Sequence, residues 1–269
     1  MRQLAHDKLD ELGRLLAGLG KTAVAVSGGV DSLTMACIAH QRLGASVTMF
    51  HAVSPAVPPE ATGRTRRHAF QFGWRLEVID AGEFNDPEYL RNPVNRCFFC
   101  KSNLYGAIAQ RTRATIISGT NLDDLADFRP GLEAAKNHGV RHPYIETGID
   151  KALVRTIAAI LELGDTADLP ASPCLSSRVE TGIRVTADRL GLVHAVEGLV
   201  RRNLVATVVR CRIRRDGLHV ELDEATFRQV TAGADEALRP EIERLGAARG
   251  HPGPVHFACY RMGSAFLRQ

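Results

Sequence analysis

Short apolar runs alternate with longer amphipathic stretches through roughly the first half of the chain. The run at 22–26 (TAVAV) is typical of a buried parallel strand, and it leads through SGGVDS into a helical pattern at 33–43. Further strands are predicted at 46–51, 76–80 and 115–118, and further helices at 59–72 and 101–111. This alternation predicts an α/β fold with a doubly wound parallel sheet.

The pattern changes in the second half of the chain. A helix predicted at Lys151–Gly164 is followed by the loop DTADLPASPC, whose two prolines and small polar residues interrupt any periodicity. One more helix and several strand-like stretches around the turn Asp216-Gly217 come after it. We therefore expect two domains, 1–175 and 176–269, of which the second is a smaller α+β domain.

The glycine loop Ser27-Gly28-Gly29-Val30-Asp31-Ser32 lies between the first predicted strand and a helix. N–H groups at such a helix start lack intrahelical partners and carry partial positive charge, so they bind anions. The glycines let the backbone close around a phosphate, the serine hydroxyls can donate to it, and Asp31 can hold Mg²⁺. The loop predicts a phosphate site, with an ordinary βα turn as the alternative.

A second polar loop, Ser118-Gly119-Thr120-Asn121-Leu122-Asp123-Asp124, follows the strand predicted at 115–118. Ligands of α/β folds bind at the carboxyl ends of parallel strands, so Gly119, Thr120 and Asn121 are candidates for nucleotide or magnesium contacts. The alternative is a capping turn, in which Asn121 and Asp123 accept hydrogen bonds from the next helix.

Composition narrows the choice of partner. The chain is 45% apolar and 24% charged, with a net charge of +4, and only five of its 34 basic residues are lysines. Arginine grips phosphate and carboxylate in a forked geometry, which favours a small anionic substrate over a long nucleic-acid track. No apolar stretch approaches the length of a membrane helix, and we expect a cytoplasmic protein with no membrane partner.

Six cysteines in a reducing compartment indicate thiol chemistry or metal ligation instead of disulfides. Cys97 and Cys100 are spaced as a redox pair, half of a zinc site or part of an iron–sulfur cluster, and spacing alone does not decide among them. A zinc site would need a further ligand, for which His51 and His142 are candidates. Cys37 and Cys259 fit the alternative of buried apolar residues.

Cys174 is the candidate nucleophile. It lies in a loop beside Pro173, and Arg178 is four residues away, where a guanidinium would favour the thiolate. Arg210 and Arg212 are two residues apart on a predicted strand, so both would point to one face and could bind one phosphate. A solvated strand face is the alternative for this arginine pair.

Taken together, SGGVDS, SGTNLDD, Arg129-Pro130-Gly131, PCLSSR and Arg210-Cys211-Arg212 resemble the LarE-type sulfur transferases of the PP-loop ATP pyrophosphatase superfamily. The resemblance implies an adenine nucleotide α-hydrolase-like fold, ATP and Mg²⁺ at the glycine loop, Ser54 near the adenosine, and release of pyrophosphate. It also implies a carboxylated substrate, pyridinium-3,5-biscarboxylic acid mononucleotide, whose phosphate the arginine pair binds, in nickel-pincer cofactor biosynthesis. Glu197 is a weaker match, and the family implies a homo-oligomer.

The resemblance also assigns the cysteines. Members with a C-x-x-C in addition to the nucleophile hold a [4Fe-4S] cluster with three thiolates, here Cys97, Cys100 and Cys174, and donate a cluster-bound sulfide that a sulfide donor replaces. Members with the nucleophile alone consume its sulfur, which for this chain would be the sulfur of Cys174. The three-cysteine pattern favours the cluster.

Three other functions fit parts of the sequence. A PP-loop enzyme of tRNA thiolation would also use a three-cysteine cluster, but aromatic residues make up only 6% of the chain and no RNA-binding module is evident. A non-enzymatic iron–sulfur or zinc carrier would not need an intact SGGVDS. A glutamine-fed amidating enzyme would have no use for the three cysteines.

Overall fold

The computed structural model describes residues 2–125, 130–170, 173–234 and 237–261, so that Arg129 of the Arg129-Pro130-Gly131 motif lies outside the described residues. The strands are β1 (Thr22–Ala25), β2 (Val47–Ala52), β3 (Leu76–Ile79), β4 (Thr115–Ser118), β5 (Val209–Arg214), β6 (Gly217–Leu222) and β7 (Val255–Cys259). The helices are α1 (Arg2–Ala17), α2 (Val30–Leu43), α3 (Pro59–Phe72), α4 (Pro87–Leu90), α5 (Arg96–Arg111), α6 (Pro130–Asn137), α7 (Pro143–Glu146), α8 (Lys151–Ile160), α9 (Ala187–Asn203), α10 (Glu224–Gln229) and α11 (Leu238–Ala248).

The first four strands form a parallel sheet in the order β3-β2-β1-β4. Val24 of β1 pairs with Met49 of β2 on one side and with Ile117 of β4 on the other. The chain therefore extends the sheet from β1 to β3 and then returns to the opposite side of β1. The loops after β1 and β4 meet at this reversal, which is where open parallel sheets bind ligands.

Helices cover both faces of the parallel sheet. On one face Leu12 of α1, Ile38 of α2 and Ile157 of α8 are fully buried in a core with β1 and β2. On the other face Tyr105 and Ile108 of α5 pack with residues of β1, β2 and β4. Each such buried side chain contributes about 1.5–3 kcal/mol. The predicted doubly wound α/β fold is confirmed.

The last three strands form a smaller mixed sheet, in which β6 pairs antiparallel with β5 and parallel with β7. Cys211, Val220 and Leu222 lie on its apolar face, and α9 packs against β5 with Val193 and Val196 buried. The predicted smaller α+β part of the chain is confirmed.

The opposite face of this sheet carries charged and ionisable side chains, because successive residues of a strand point to alternate faces. Cross-strand pairing sets Arg210 opposite Glu221, Arg212 opposite His219, and His219 opposite His256. We refer to this surface as the polar face; its members are Arg210, Arg212, Arg214, His219, Glu221 and His256.

The described residues divide into two compact units, one from Met1–Glu83 and Asn95–Ser172 and the other from Phe84–Val94 and Pro173–Gln269. The second unit therefore contains a segment from the first half of the chain. The predicted single boundary between residues 175 and 176 assigns this segment to the first domain. In this segment the Asn92 amide donates to the carbonyls of Val179, Glu180 and Ile183 at 2.8–3.2 Å.

Two further features concern single helices. Helix α5 begins at Arg96, five residues before its predicted start, so Cys97 and Cys100 lie in its first turn. Within the described ranges, no helix combines the length and the apolar character that crossing a lipid bilayer requires.

Candidate functional site

The loop after β1 closes around the hydroxyl of Ser32. This hydroxyl accepts a hydrogen bond from Ser27 N at 3.0 Å, donates to Gly29 O at 3.1 Å and lies 3.1 Å from the Ser27 hydroxyl. Gly29 is the N-cap of α2 and provides no side-chain cap, while Gly28 adopts φ +82° against Ala61. A helix start without a side-chain cap leaves its first N–H groups available to an anion.

The loop after β4 packs directly on this helix start. A Cβ atom added to Gly119 would lie 2.8 Å from Asp31 C and 2.8 Å from Ser32 N. Both are backbone atoms, so a side chain at position 119 would have to shift the main chain of α2. The glycine thus allows the close approach of the two loops, a requirement that the sequence pattern did not indicate.

Asp31 is the centre of the contacts between these loops. Its carboxylate accepts hydrogen bonds from Asn121 Nδ2 at 3.1 Å and from the ammonium of Lys151, the first residue of α8. Tyr144 donates to its backbone carbonyl at 3.3 Å. Both carboxylate oxygens of Asp31 thus have a donor, and Mg²⁺ bound at Asp31 would replace one of them.

Asp123 and Asp124 hold the second loop in place. Asp124 accepts from Asn121 N at 3.1 Å, and Asp123 accepts from Lys151 N at 3.0 Å. Asn121 Oδ1 in turn accepts from Asp123 N at 3.0 Å. Asn121 therefore caps the turn that follows it, as considered, whereas Asp123 accepts from the first residue of α8, and Asn121 contacts Asp31 in addition.

Burial keeps two neighbouring groups neutral. Tyr144 is fully buried, which raises the pKa of its hydroxyl well above the usual range and keeps it a hydrogen-bond donor. Burial lowers the pKa of His142, whose Nδ1 lies 2.8 Å from the hydroxyl of Ser118. That hydroxyl is also 2.9 Å from Thr120 Oγ1, so Thr120 is held by an uncharged network.

Helix α3 and the loop after β2 border the glycine loop. The Arg64 side chain of α3 donates from Nε to Gly28 O at 3.0 Å. Ser54 follows β2, is half-buried, and its hydroxyl accepts from Ala56 N at 3.2 Å, which shapes the local turn. The predicted nucleotide residues Ser27, Gly28, Gly29, Asp31, Ser32, Gly119 and Asn121 are therefore in mutual contact, while Thr120 and Ser54 lie in the neighbouring loops.

Cys97 and Cys100 lie in the first turn of α5, where a spacing of three residues places both thiols on one side of the helix. Both are half-buried. His51, one of the two histidines considered as a further zinc ligand, is fully buried, with Nδ1 2.8 Å from Val26 O and Nε2 2.9 Å from Thr62 Oγ1. Both of its ring nitrogens have hydrogen-bond partners, so His51 would have to give up one of these bonds to bind zinc.

Cys174 begins the loop that leads into a short 3₁₀ helix at Leu175–Arg178 in the second unit. The Arg178 guanidinium donates to the carbonyls of Pro173 at 2.8 Å and Cys174 at 3.2 Å, and to the Ser177 hydroxyl at 2.9 Å. The observed contacts of Arg178 are therefore with the backbone around Cys174, which they hold in place.

Glu197 of α9 binds the opposite side of Arg178. Its carboxylate accepts from Arg178 Nε at 3.0 Å, from the Cys211 backbone N–H at 3.1 Å and from Arg201 at 3.0 Å. This buried group connects the Cys174 loop, α9 and β5. Glu197, a weak match at the level of sequence, is thus a central structural residue of the second unit.

The predicted arginine pair shares one face of β5, but the two side chains differ in burial and in their contacts. Arg210 and Arg212 share the polar face, but Arg212 is 6% exposed, pairs with Glu221 at 2.8 Å and donates to Ser177 O at 3.2 Å. Arg210 is half-buried, and burial together with the nearby Arg178 lowers its pKa. The two guanidiniums thus have different surroundings, which strand spacing alone does not reveal.

The remaining cysteines separate by burial; all six lie in the described part of the chain and none forms a disulfide. Cys37 is buried, as predicted, and burial raises the pKa of its thiol to about 11. Cys211 is fully buried and burial raises its pKa far above the usual range. Cys259 is exposed at the end of β7, so its predicted burial was wrong.

Lys151 was missed in the sequence. Its contact with Asp31 spans 120 positions along the chain, which no local motif reveals.

Comparison with known proteins identifies relatives over most of the chain. It is 37% identical to the uncharacterized protein slr1717 of Synechocystis over 84% of this chain and 85% of that protein. It is 29% identical to pyridinium-3,5-bisthiocarboxylic acid mononucleotide synthase of Lactiplantibacillus plantarum, over 86% of this chain and 84% of that protein. One of the subunits of the glutamine-hydrolysing GMP synthase of Thermococcus kodakarensis is 30% identical over 50% of this chain and 46% of its own length. No family model matches the chain.

Proposed function

The chain belongs to the same family as the Synechocystis protein slr1717, and from this membership and the site geometry we propose that it is an ATP-dependent sulfur transferase of the PP-loop class. The similarity to pyridinium-3,5-bisthiocarboxylic acid mononucleotide synthase supports pyridinium-3,5-biscarboxylic acid mononucleotide as the substrate, in nickel-pincer cofactor biosynthesis. The observation that carries the proposal is the convergence of the SGGVDS loop, Gly119 and Lys151 on Asp31.

In the proposed first step the triphosphate of ATP lies at the start of α2. Ser27 and the backbone of Gly28 and Gly29 bind its oxygens, Ser32 holds the loop closed, and the Lys151 ammonium offsets phosphate charge. Ser54, Thr120 and Asn121 border the nucleoside. A substrate carboxylate oxygen attacks the α-phosphorus of ATP, the bond from this phosphorus to the bridging oxygen of the β-phosphate breaks, and the products are an acyl-adenylate and pyrophosphate.

Magnesium fits this arrangement through Asp31. The half-buried carboxylate has oxygen ligands of the kind Mg²⁺ prefers, and exchange of Lys151 onto a phosphate would leave one oxygen to the metal. When bound, Mg²⁺ would offset the charge of the departing pyrophosphate.

In the proposed second step sulfur replaces AMP. A sulfur nucleophile forms a bond to the carbonyl carbon of the acyl-adenylate, and AMP leaves with the electrons of the carbon–oxygen bond. Arg178 positions the Cys174 loop, while Arg210 and Arg212 bind the substrate phosphate, for which Arg212 exchanges a contact with Glu221 for one with the phosphate. If Cys174 itself is the donor, its Cβ–Sγ bond then breaks by elimination and leaves dehydroalanine.

Cys97, Cys100 and Cys174 are the residues we propose to hold a [4Fe-4S] cluster, which when bound supplies an exchangeable sulfide. The fit rests on the chemistry of the donors. Cys97 and Cys100 present two half-buried thiols on one side of α5, and the Cys174 thiol is half-buried too.

The test is an anaerobic assay of pyrophosphate release and of thiocarboxylate formation with ATP and the dicarboxylate mononucleotide. We expect substrate-dependent pyrophosphate release by the wild type and a loss of about a hundredfold or more in Asp31→Asn. Cys174→Ala should still release pyrophosphate but form no thiocarboxylate.

Cys259→Ala is the matched control, because Cys259 is exposed and lies outside the proposed site. It should retain both activities. Full thiocarboxylate formation by Cys174→Ala, or pyrophosphate release that does not depend on the mononucleotide, would contradict the proposal.

A further inference from the structure

Two histidines lie side by side on the polar face of the smaller sheet. His219 of β6 and His256 of β7 are direct cross-strand partners, and their ring centroids are 4.6 Å apart at an interplanar angle of 33°. Residues paired in this way project to the same face of the sheet. Two imidazoles are therefore held together by backbone register, without reliance on a flexible loop.

The carboxylate of Asp216, in the turn between β5 and β6, lies beside the two histidines. Asp216 Oδ1 accepts a hydrogen bond from His219 Nε2 at 2.9 Å. The turn is fixed in position by Gly217, which adopts φ +135° and whose added Cβ would lie 2.4 Å from Pro254 O. Since Pro254 immediately precedes β7, the turn that carries Asp216 is tied to the strand that carries His256.

We propose that Asp216, His219 and His256 form a binding site for one divalent cation of the zinc type. One ligand atom from each residue lies within 4.8 Å of those of the other two, and in the described residues no other group of three or more His, Cys, Asp or Glu has this geometry. Two imidazoles and one carboxylate suit Zn²⁺, Co²⁺ or Ni²⁺, whereas Mg²⁺ and Ca²⁺ prefer oxygen ligands alone.

One of the three pairs of ligand atoms is already close to the spacing that a bound metal requires. Ligand bonds of about 2.0–2.1 Å in tetrahedral geometry separate two ligand atoms by about 3.3 Å, close to the 2.9 Å between His219 Nε2 and Asp216 Oδ1. On binding, the proton shared by these two atoms passes to solvent, and the lone pair of the nitrogen bonds to the metal. Asp216 and His256 are exposed, so water or a substrate oxygen completes the coordination.

Glu221 offsets part of the positive charge near the histidine pair. Arg212 is the cross-strand partner of His219 on β5, and it pairs with Glu221 at 2.8 Å. Arg214 pairs with the other oxygen of Glu221 at 3.0 Å. Glu221 thus offsets only one of these two positive charges, and within the proposed site the Asp216 carboxylate supplies the negative charge for the cation. The proposal is independent of sulfur transfer, since none of its three residues has a part in the steps above.

The experiment is a titration of the chelator-treated full-length protein with Co²⁺, followed by absorption spectroscopy and then by competition with Zn²⁺. Ligation by imidazole and carboxylate gives visible cobalt bands without a sulfur-to-cobalt charge-transfer band, which separates this site from one made of cysteines. We expect one such ion per chain. His256→Ala and the isosteric Asp216→Asn should each weaken Co²⁺ binding at least tenfold.

His6→Ala is the matched control, because His6 is an exposed histidine on α1, outside this cluster. It should bind Co²⁺ as the wild type does, and circular dichroism should show all variants folded. The proposal is overturned if His256→Ala and Asp216→Asn bind Co²⁺ unchanged. It is equally overturned if His6→Ala weakens binding as much as they do, or if all bound cobalt shows thiolate ligation.

Discussion

Asp31 concentrates contacts from three parts of the chain on one carboxylate. Asn121 and Lys151 donate to its side chain, and the backbone beside it packs against Gly119. Because the Asp31 carboxylate is already held in one orientation, it loses little conformational entropy when a substrate binds. Small changes of volume around Asp31 should therefore have large effects.

Gly119→Ala tests this tight contact. The added methyl group would meet the backbone of Asp31 and Ser32 at 2.8 Å, so the two loops must separate. We expect ATP affinity to fall at least tenfold and the free energy of unfolding to fall by about 1–3 kcal/mol, measured by calorimetric titration and by urea unfolding.

Gly63→Ala is the control for Gly119→Ala. Gly63 lies inside α3, and its added Cβ would come no closer than 3.5 Å to another side chain. Alanine should stabilise the helix by about 0.5–1 kcal/mol and leave ATP binding unchanged. Equal ATP affinity in the two variants would contradict the role given to Gly119.

Buried histidines make stability depend on pH. Burial lowers the pKa values of His51, His68 and His142, so the folded protein keeps these imidazoles neutral. The unfolded chain, with histidine pKa values of about 6.5, takes up protons first as the pH falls. The free energy of unfolding should thus decrease below about pH 6.5, by up to about 1.4 kcal/mol per pH unit for each histidine.

Urea unfolding at about pH 7.5, 6.5 and 5.5 measures this slope. His68→Gln removes one of the groups while a side-chain amide can still bond to Thr166, the present partner of His68 at 2.9 Å. This variant should show a smaller slope than the wild type. A wild type that is equally stable at all three values would refute the assignment.

Among the elements of the second unit, the 3₁₀ helix at Leu175–Arg178 and α9 are connected by a buried ion pair, and the Glu197 carboxylate of this pair also accepts from the β5 backbone. Arg178 is 3% exposed and lies between Glu197 and the carbonyls beside Cys174. We expect Arg178→Ala to lower the free energy of unfolding by about 3–5 kcal/mol, because Glu197 keeps its buried charge without this partner. Urea unfolding is the measurement.

Arg228→Ala provides the comparison for Arg178→Ala. Arg228 pairs with Glu224, but both side chains are mostly exposed, and solvent screens their attraction. Its removal should change stability by no more than about 0.5 kcal/mol. A loss below about 1 kcal/mol in Arg178→Ala would show that the buried pair is not a main support of the fold.

Substitutions of Cys97 and Cys100, near the start of α5, test whether the protein binds the proposed cluster. After anaerobic reconstitution we expect about four iron atoms per chain in the wild type, and loss of the visible cluster absorption in Cys97→Ser and in Cys100→Ser. Cys259→Ser, at an exposed thiol, should retain iron and absorption. Full iron content in Cys97→Ser would remove α5 from the proposed site.

Local signals in the sequence set most element boundaries. Pro59 at the start of α3 and Gly73 at its end, where φ is +67°, predict its bounds correctly. α2 begins three residues before the predicted pattern because Gly29 caps it. The parallel sheet and its glycine loop follow from the same local rules.

Contacts between distant residues did not follow from the sequence. Alternation along β6 places Glu221 on the polar side, yet Glu221 is buried because Arg212 and Arg214 from β5 pair with it. Strand spacing predicts that Arg210 and Arg212 share a face but contains no information about the residues opposite them. The Lys151 contact with Asp31 was missed for the same reason.

At the scale of the whole molecule, the second unit depends on a segment that is remote in sequence. Asn92 is fully buried, adopts φ +58° and donates to three carbonyls of residues 179–183. Tyr89 is also buried, with its hydroxyl 2.6 Å from that of Ser176. Residues 84–94 therefore satisfy polar groups that residues 173–269 alone would leave without partners.

Asn92→Ala should lower the free energy of unfolding by about 2–4 kcal/mol, since one buried and two partly buried carbonyls lose a donor. Asn203→Ala is the matched control, because the Asn203 amide contacts only Leu199 O at the exposed end of α9 among the hydrogen bonds described, and it should cost less than about 1 kcal/mol. Urea unfolding compares the two, and similar losses would contradict the structural role of Asn92.

The chain order of this segment has a consequence for synthesis on the ribosome. Residues 84–94 leave the exit tunnel well before residues 173–269, and at about 5–20 residues per second the delay is about 4–16 s. During that time the residues on which Tyr89 and Asn92 dock have not yet left the ribosome. A nascent chain that pauses there exposes a tyrosine and a side-chain amide to chaperones, so translation speed sets how long this vulnerable interval lasts.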